Sequence, residues 1–152
     1  MPALIRSACG TCMVPVCPEQ LGGLSTPRPP ATISGGDGRD VLSGRALLRN
    51  DRGEDVTEAF LRGAREALSI ARACGVKMAL LKDQSPSCGC LTRYCDRPGG
   101  GMGVTAALLE AEGFHLFEIQ PGGAFPPPGL EIDRGRLVPE AVCEKPEQQT
   151  GA

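Results

Sequence analysis

The chain contains no tryptophan, one histidine (His115) and one tyrosine (Tyr94). With a single histidine, a metal held by side chains would rest on sulfur, which suits zinc or an iron–sulfur cluster better than magnesium or a histidine-bound metal. No excess of either charge is present. The formal net charge is -2, with lysine and arginine spread along the sequence, so nothing in it argues for nucleic acid or an acidic membrane surface as a partner. No apolar run approaches the roughly 20 residues a membrane span needs. The start, Met1-Pro2-Ala3-Leu4-Ile5-Arg6, has no basic region followed by an apolar core. These absences predict a cytoplasmic protein.

What is abundant is cysteine, eight in 152 residues. In a reducing compartment, clustered cysteines bind metal or do chemistry more often than they form disulfides. The length fits one domain, 1–152, with a core over about 3–119 and an irregular extension and tail over 120–152.

Ala3–Cys9 reads as a first strand and Val14–Glu19 as a second, short one, with Pro15 placing it near an edge. Parallel neighbours need a crossover of about a dozen residues, and only Gly10 to Met13 separate the two runs. Either the pair is not a standard parallel unit or the sequence lacks a connecting segment. Gln20–Pro30 is a Pro- and Gly-rich loop whose only charge is Arg28, a guanidinium able to orient a carbonyl or carboxylate. Thr32–Asp40 reads as surface loop and Val41–Arg49 as a small hairpin.

From Asp55 the period becomes helical. Val56, Ala59, Phe60, Gly63, Ala64, Ala67, Leu68, Ile70 and Ala71 form one apolar stripe, closed by Cys74-Gly75. Cys74 is expected to be buried as a small hydrophobe. Val76–Leu81 reads as a buried strand, Thr105–Glu112 as a helix and Phe114–Ile119 as a further strand, giving a β-loop-α-β unit. Leu130–Pro139 suggests a short hairpin and Glu144–Ala152 a polar tail. The expected fold is α/β, a single three-layer Rossmann-like domain with a mainly parallel sheet.

Three readings of the cysteines compete. Cys9-x-x-Cys12 with Cys88-x-Cys90 and Cys95 could make a closed zinc site, although Cys-x-Cys is not the usual knuckle spacing and Cys17 is left over. Cys9 and Cys12 as a redox dithiol lack a following helix. An iron–sulfur site with three thiolates from three strand ends would leave one iron open as a Lewis acid. Glu19 beside Cys17, and Ser85 and Ser87 beside Cys88, supply the carboxylate and hydroxyl that proton transfer requires. Taken singly, Glu19 is a solvated carboxylate, Ser87 a turn hydroxyl and Lys82 a snorkelling side chain. The Gly99–Gly103 run before a helix could cradle an anion, but it lacks a dinucleotide or P-loop pattern. Cys90, Cys95 and Cys143 read as free thiols.

In combination, several blocks resemble the small bacterial family that contains thiouracil desulfidase. They are Ser7-Ala8-Cys9, Val14-Pro15-Val16-Cys17-Pro18-Glu19-Gln20-Leu21-Gly22-Gly23-Leu24, Thr26-Pro27-Arg28-Pro29-Pro30, Ser85-Pro86-Ser87-Cys88-Gly89 and Gly103-Val104-Thr105-Ala106. Asp55-Val56-Thr57, Phe60–Ala64 and Leu81-Lys82 add to the match, which runs from about residue 4 to 119. The resemblance implies a [4Fe-4S] cluster held by Cys9, Cys17 and Cys88, with an open iron that captures the sulfur of a thiolated nucleobase such as 2-thiouracil. It further implies that Glu19 and Ser87 are the acid–base and proton-relay groups, and that the products are uracil and sulfide, without redox change. The chain departs from the family in the interval after Cys9, where a Cys-Arg-Tyr-Asp-Gly motif and a helix are replaced by Gly10–Val16 alone. Cys90, Cys95 and the residues beyond about 120 have no counterpart. A different class of function, a non-catalytic metal- or sulfur-binding protein using the same thiolates, is the alternative.

Overall fold

The computed structural model describes residues 13–133 and 136–139. Ten elements follow in order: α1 (Pro18–Leu21), β1 (Ala31–Ser34), α2 (Gly38–Leu42), β2 (Leu47–Asn50), α3 (Thr57–Ala73), β3 (Met78–Lys82), α4 (Val104–Ala111), β4 (His115–Ile119), β5 (Leu130–Asp133) and β6 (Arg136–Pro139). The expected first strand, Cys9, Cys12, Cys143 and the polar tail lie outside the described residues.

The long amphipathic stripe becomes α3. Asp55 accepts a hydrogen bond from the Thr57 amide at its start (2.9 Å), and Gly75 follows its end at φ +64°, a conformation that suits glycine. Phe60 and Ala64 pack with Ile33, Val41, Leu48 and Val104 in one apolar cluster, while Leu68 joins Leu81, Met102, Ala106 and Leu109 in a second. Helices α3 and α4 therefore tie the two halves of the core together.

The chain is mixed α/β, built of three two-stranded sheets among the described residues. β3 and β4 are parallel, joined through α4, with Leu81 opposite Glu118; β1–β2 and β5–β6 are antiparallel. The β-loop-α-β unit and the C-terminal hairpin appear where the sequence predicts them. Four expectations need correction. A mainly parallel sheet is not seen among the described residues, where one pair of three is parallel. Val14–Glu19 is not a strand: Val14 and Val16 stand 45% and 44% exposed, Pro15 removes an amide, and Pro18 opens α1 at a position where its missing N–H costs nothing. Thr32–Asp40 and Val41–Arg49 are not surface loop plus hairpin. Instead β1 pairs with β2 around α2, whose N-terminus is closed by a reciprocal Asp37–Asp40 capping box, and Ile33, Val41 and Leu48 are core. Cys74 is exposed because it follows the last turn of α3, beyond the stripe that faces the core.

Helix α1 lies against α3 with almost no side chain between them. A Cβ on Gly63 would sit inside the van der Waals envelope of the Pro18 carbonyl, and one on Gly22 would strike the Ala59 carbonyl. The Arg62 guanidinium, also on α3, donates to the Gly22 carbonyl at the end of α1. Gly63→Ala is therefore expected to push α1 away and cost about 1–3 kcal/mol. Urea unfolding would read the loss, and a conservative Gly63→Ala protein as stable as the parent would contradict this packing.

Candidate functional site

Cys17 is the N-cap of α1, so Cys17 and Glu19 are held by the same short turn, which Gly63 and Arg62 fix to α3. The loop after β3 supplies Cys88. In that loop Ser85 Oγ accepts from the amides of Ser87 and Cys88 (both 3.1 Å), and the Gly89 amide donates back to the Ser85 carbonyl (2.8 Å). This closes a tight hydroxyl-capped turn.

The same loop caps α4. Amides of Gly103 and Val104 donate to the carbonyls of Gly89 (2.8 Å) and Pro86 (3.0 Å), while Thr105 and Ala106 both donate to the Ser87 carbonyl (2.8 and 3.1 Å). These are the amides a helix leaves without partners, and here the loop takes them. The helix start therefore has no spare donors for an anion, in keeping with the missing dinucleotide or P-loop pattern in the Gly99–Gly103 run. Gly103 is required because a Cβ there would collide with the Ser87 and Pro86 carbonyls.

Residues 17 and 19 lie within electrostatic reach of Cys88. Cys88 is half-buried, and burial pushes its thiol up to about 11. The Ser87 side chain hydrogen-bonds it in the opposing sense, and the charges of Glu19, Cys17 and Cys90 reach it and raise it further. Ser87 itself is fully buried, with its Oγ 2.8 Å from Thr105 Oγ1. The expected relay hydroxyl is thus buried and paired with Thr105.

Arg28 completes the cluster. Its Nε donates to Glu19 Oε2 (2.6 Å) and its Nη2 to Cys17 Sγ (3.3 Å). Burial opposes the charge on Arg28, but hydrogen bonding and attraction from Glu19, and then from Cys17, hold it above its ordinary value. Arg28 was recognisable in the sequence as a lone cation in a stiff loop. Its bond to a cysteine was not, because residues 11 apart in sequence meet only through the turn of that loop.

Cys90 turns elsewhere. Its amide donates to Glu118 Oε1 (2.9 Å), and burial, followed by the charges of Glu118 and Glu110, raises its thiol to about 11. It lines a hollow of about 590 Å³ together with Asp37, Arg39, Arg97 and Glu110, and without Cys17, Glu19 or Cys88. In that hollow Arg39 pairs with Glu110 (2.6 Å) and Arg97 with the buried Asp37 (3.1 Å). Cys95 packs against the first core cluster, its Sγ donating to the Thr92 carbonyl (3.4 Å). A smaller hollow, about 280 Å³, opens beside Arg28 and is lined by Pro27, Pro29, Asp51 and Arg52.

Cys17 and Cys88 are both free, soft thiol donors within electrostatic reach of each other, of the kind a thiophilic metal takes. Among the described residues no three Cys, His, Asp or Glu side chains converge to hold a metal ion; Cys9, the third expected ligand, is outside them.

The chain is 47% identical over 107 residues to the uncharacterized protein YbbK of Bacillus subtilis (strain 168), covering 68% of this chain and 71% of that protein. It is also similar to a solved structure described as the [4Fe-4S]-dependent thiouracil desulfidase TudS, with a TM-score of 0.56 and 38% identity. That match covers 69% of this chain and 66% of the other, so the chain spans just under two thirds of that structure. The profile of the 2-thiouracil desulfurase family matches residues 3–120, and the chain belongs to that family.

Proposed function

We propose that the protein removes sulfur from a thiolated nucleobase such as 2-thiouracil, releasing sulfide and leaving the oxo base, by a hydrolysis without redox change. The observation that carries the reading is that Arg28 ties Glu19 to Cys17 within electrostatic reach of Cys88. Cys17 and Cys88, with Cys9, would hold a [4Fe-4S] cluster; when bound, it supplies an open iron as a Lewis acid for the substrate sulfur.

Glu19 has two different oxygens in this arrangement. Oε2 is engaged by Arg28, whereas Oε1 has no hydrogen-bond partner among the described residues. Oε1 is therefore the group to take a proton from water as its oxygen bonds to the ring carbon. The carbon–sulfur bond then breaks, the electron pair leaves with sulfur, the proton on Glu19 goes to the departing sulfide to give HS−, and the new hydroxyl loses its proton to solvent as the oxo group forms. Ser87 hydrogen-bonds the Cys88 sulfur and shares its hydroxyl with the buried Thr105. Its role is to orient that sulfur and fix its hydrogen bonding. Such a centre belongs in the reducing cytoplasm.

Anaerobic loading with iron and sulfide, followed by incubation with 2-thiouracil, tests the reading through released sulfide. A loaded protein that binds 2-thiouracil without turnover would be a sulfur-binding protein instead. Ser87→Ala is expected to keep the cluster and lower turnover about 10- to 100-fold, the range seen for partners of metal ligands. Turnover equal to the parent's would remove Ser87 from the site.

A further inference from the structure

Arginine carries five N–H donors in a rigid planar fork. In Arg28 four of them are assigned. Nη1 donates to the Ser25 carbonyl and to Thr26 Oγ1, both at 3.0 Å, and Thr26 Oγ1 is held in turn by Gln20 Nε2 (2.8 Å). That edge is clamped by its own loop. The remaining edge, Nε with Nη2, faces α1. A carboxylate commonly takes both donors of such an edge as a bidentate pair. Here the edge is divided, with Nε on Glu19 Oε2 and Nη2 on Cys17 Sγ.

We propose that Arg28 is a positioning residue for the desulfuration, one that sets the Glu19 carboxylate and the Cys17 sulfur relative to each other and polarises that sulfur. This rests on the cluster-dependent reading above. The fixed spacing of two donors on one plane locks two acceptors into one geometry, and the donated edge leaves Glu19 Oε1 free to face substrate. The same guanidinium draws electron density from Cys17. Hydrogen bonds to ligating sulfur and nearby charge are among the features that set the potential of an iron–sulfur centre, so Arg28 would act on the metal as well as on the base. A lysine could keep the charge, but as a point donor it could not reproduce the divided edge.

The test compares the parent, Arg28→Lys and Arg28→Gln after anaerobic loading, reading iron per chain, the midpoint potential of the cluster, and kcat and KM for 2-thiouracil. Thermal melts identify any variant whose fold is damaged, and the lysine variant is the milder of the two. The expected result is retained iron in both, a more negative potential in Arg28→Gln with partial recovery in Arg28→Lys, and kcat lowered about 10- to 100-fold in both at little change in KM. A folded, iron-loaded Arg28→Gln protein with the parent's potential and kcat would overturn the inference alone. A parent protein that takes up no cluster or releases no sulfide would overturn the functional reading instead.

Discussion

Cys88→Ala should yield a protein that folds but does not retain iron. Cys88 lies in a turn whose shape is set by Ser85 Oγ, the Gly89 amide and the four amides at the start of α4, none of which uses the Cys88 side chain. Removing a half-buried sulfur therefore leaves the loop intact and costs only part of the contact with the second core cluster. Metal retention is another matter, since a three-thiolate centre that loses one ligand keeps two. Anaerobic loading of Cys88→Ala should leave iron per chain well below that of the parent, with sulfide release from 2-thiouracil abolished. Cys90→Ala is the matched control. Its sulfur lines a different hollow, and iron and turnover should stay near the parent's. If Cys88→Ala and Cys90→Ala behaved alike, Cys88 would not be a ligand.

Glu19→Gln separates binding from chemistry. Glutamine keeps an oxygen that can accept the Arg28 Nε–H bond, so α1, Cys17 and the cluster should be undisturbed. What it loses is the ability to accept a proton from water. General acid–base groups contribute about 10²- to 10⁴-fold, and turnover should fall by that order while iron content stays constant. Steady-state kinetics beside iron quantification measures both. Unchanged turnover would take Glu19 out of the mechanism, and loss of iron would make it a structural partner of Cys17.

The sequence made some of this molecule plain and concealed the rest for physical reasons. Helix α3 announces itself because its apolar stripe faces core along its whole length and its ends carry Asp55 and Gly75. The β3-loop-α4-β4 unit is equally readable, since strand, glycine and helix signals follow in order. Strands β1 and β2 are four residues each, and Ala31 and Ile33 alternate with polar residues too briefly to stand out beside the glycines that follow. Val14–Cys17 looks apolar enough for a strand but contains Pro15, runs into Pro18 and has no strand partner among the described residues.

At the site, Cys17, Glu19, Ser87 and Cys88 were visible as chemistry beside chemistry. Motif spacing does not say that Ser87 points away into a buried pair with Thr105, because that depends on how the loop caps α4. Nor does it say that Arg28 divides its donors between sulfur and carboxylate, since that depends on a clamp built from Ser25, Thr26 and Gln20. Local pattern reveals which groups are present, and the loop's hydrogen bonds decide which way they face.

The central claim is that sulfide release depends on a cluster held at Cys17 and Cys88. The direct measurement is sulfide and uracil produced from 2-thiouracil by the anaerobically loaded protein, beside the same preparation stripped of iron by a chelator. The account predicts equal amounts of sulfide and uracil from the loaded protein, none from the stripped one, and activity restored on reloading. Sulfide release that persists without iron, or a fully loaded protein that releases none, would contradict it.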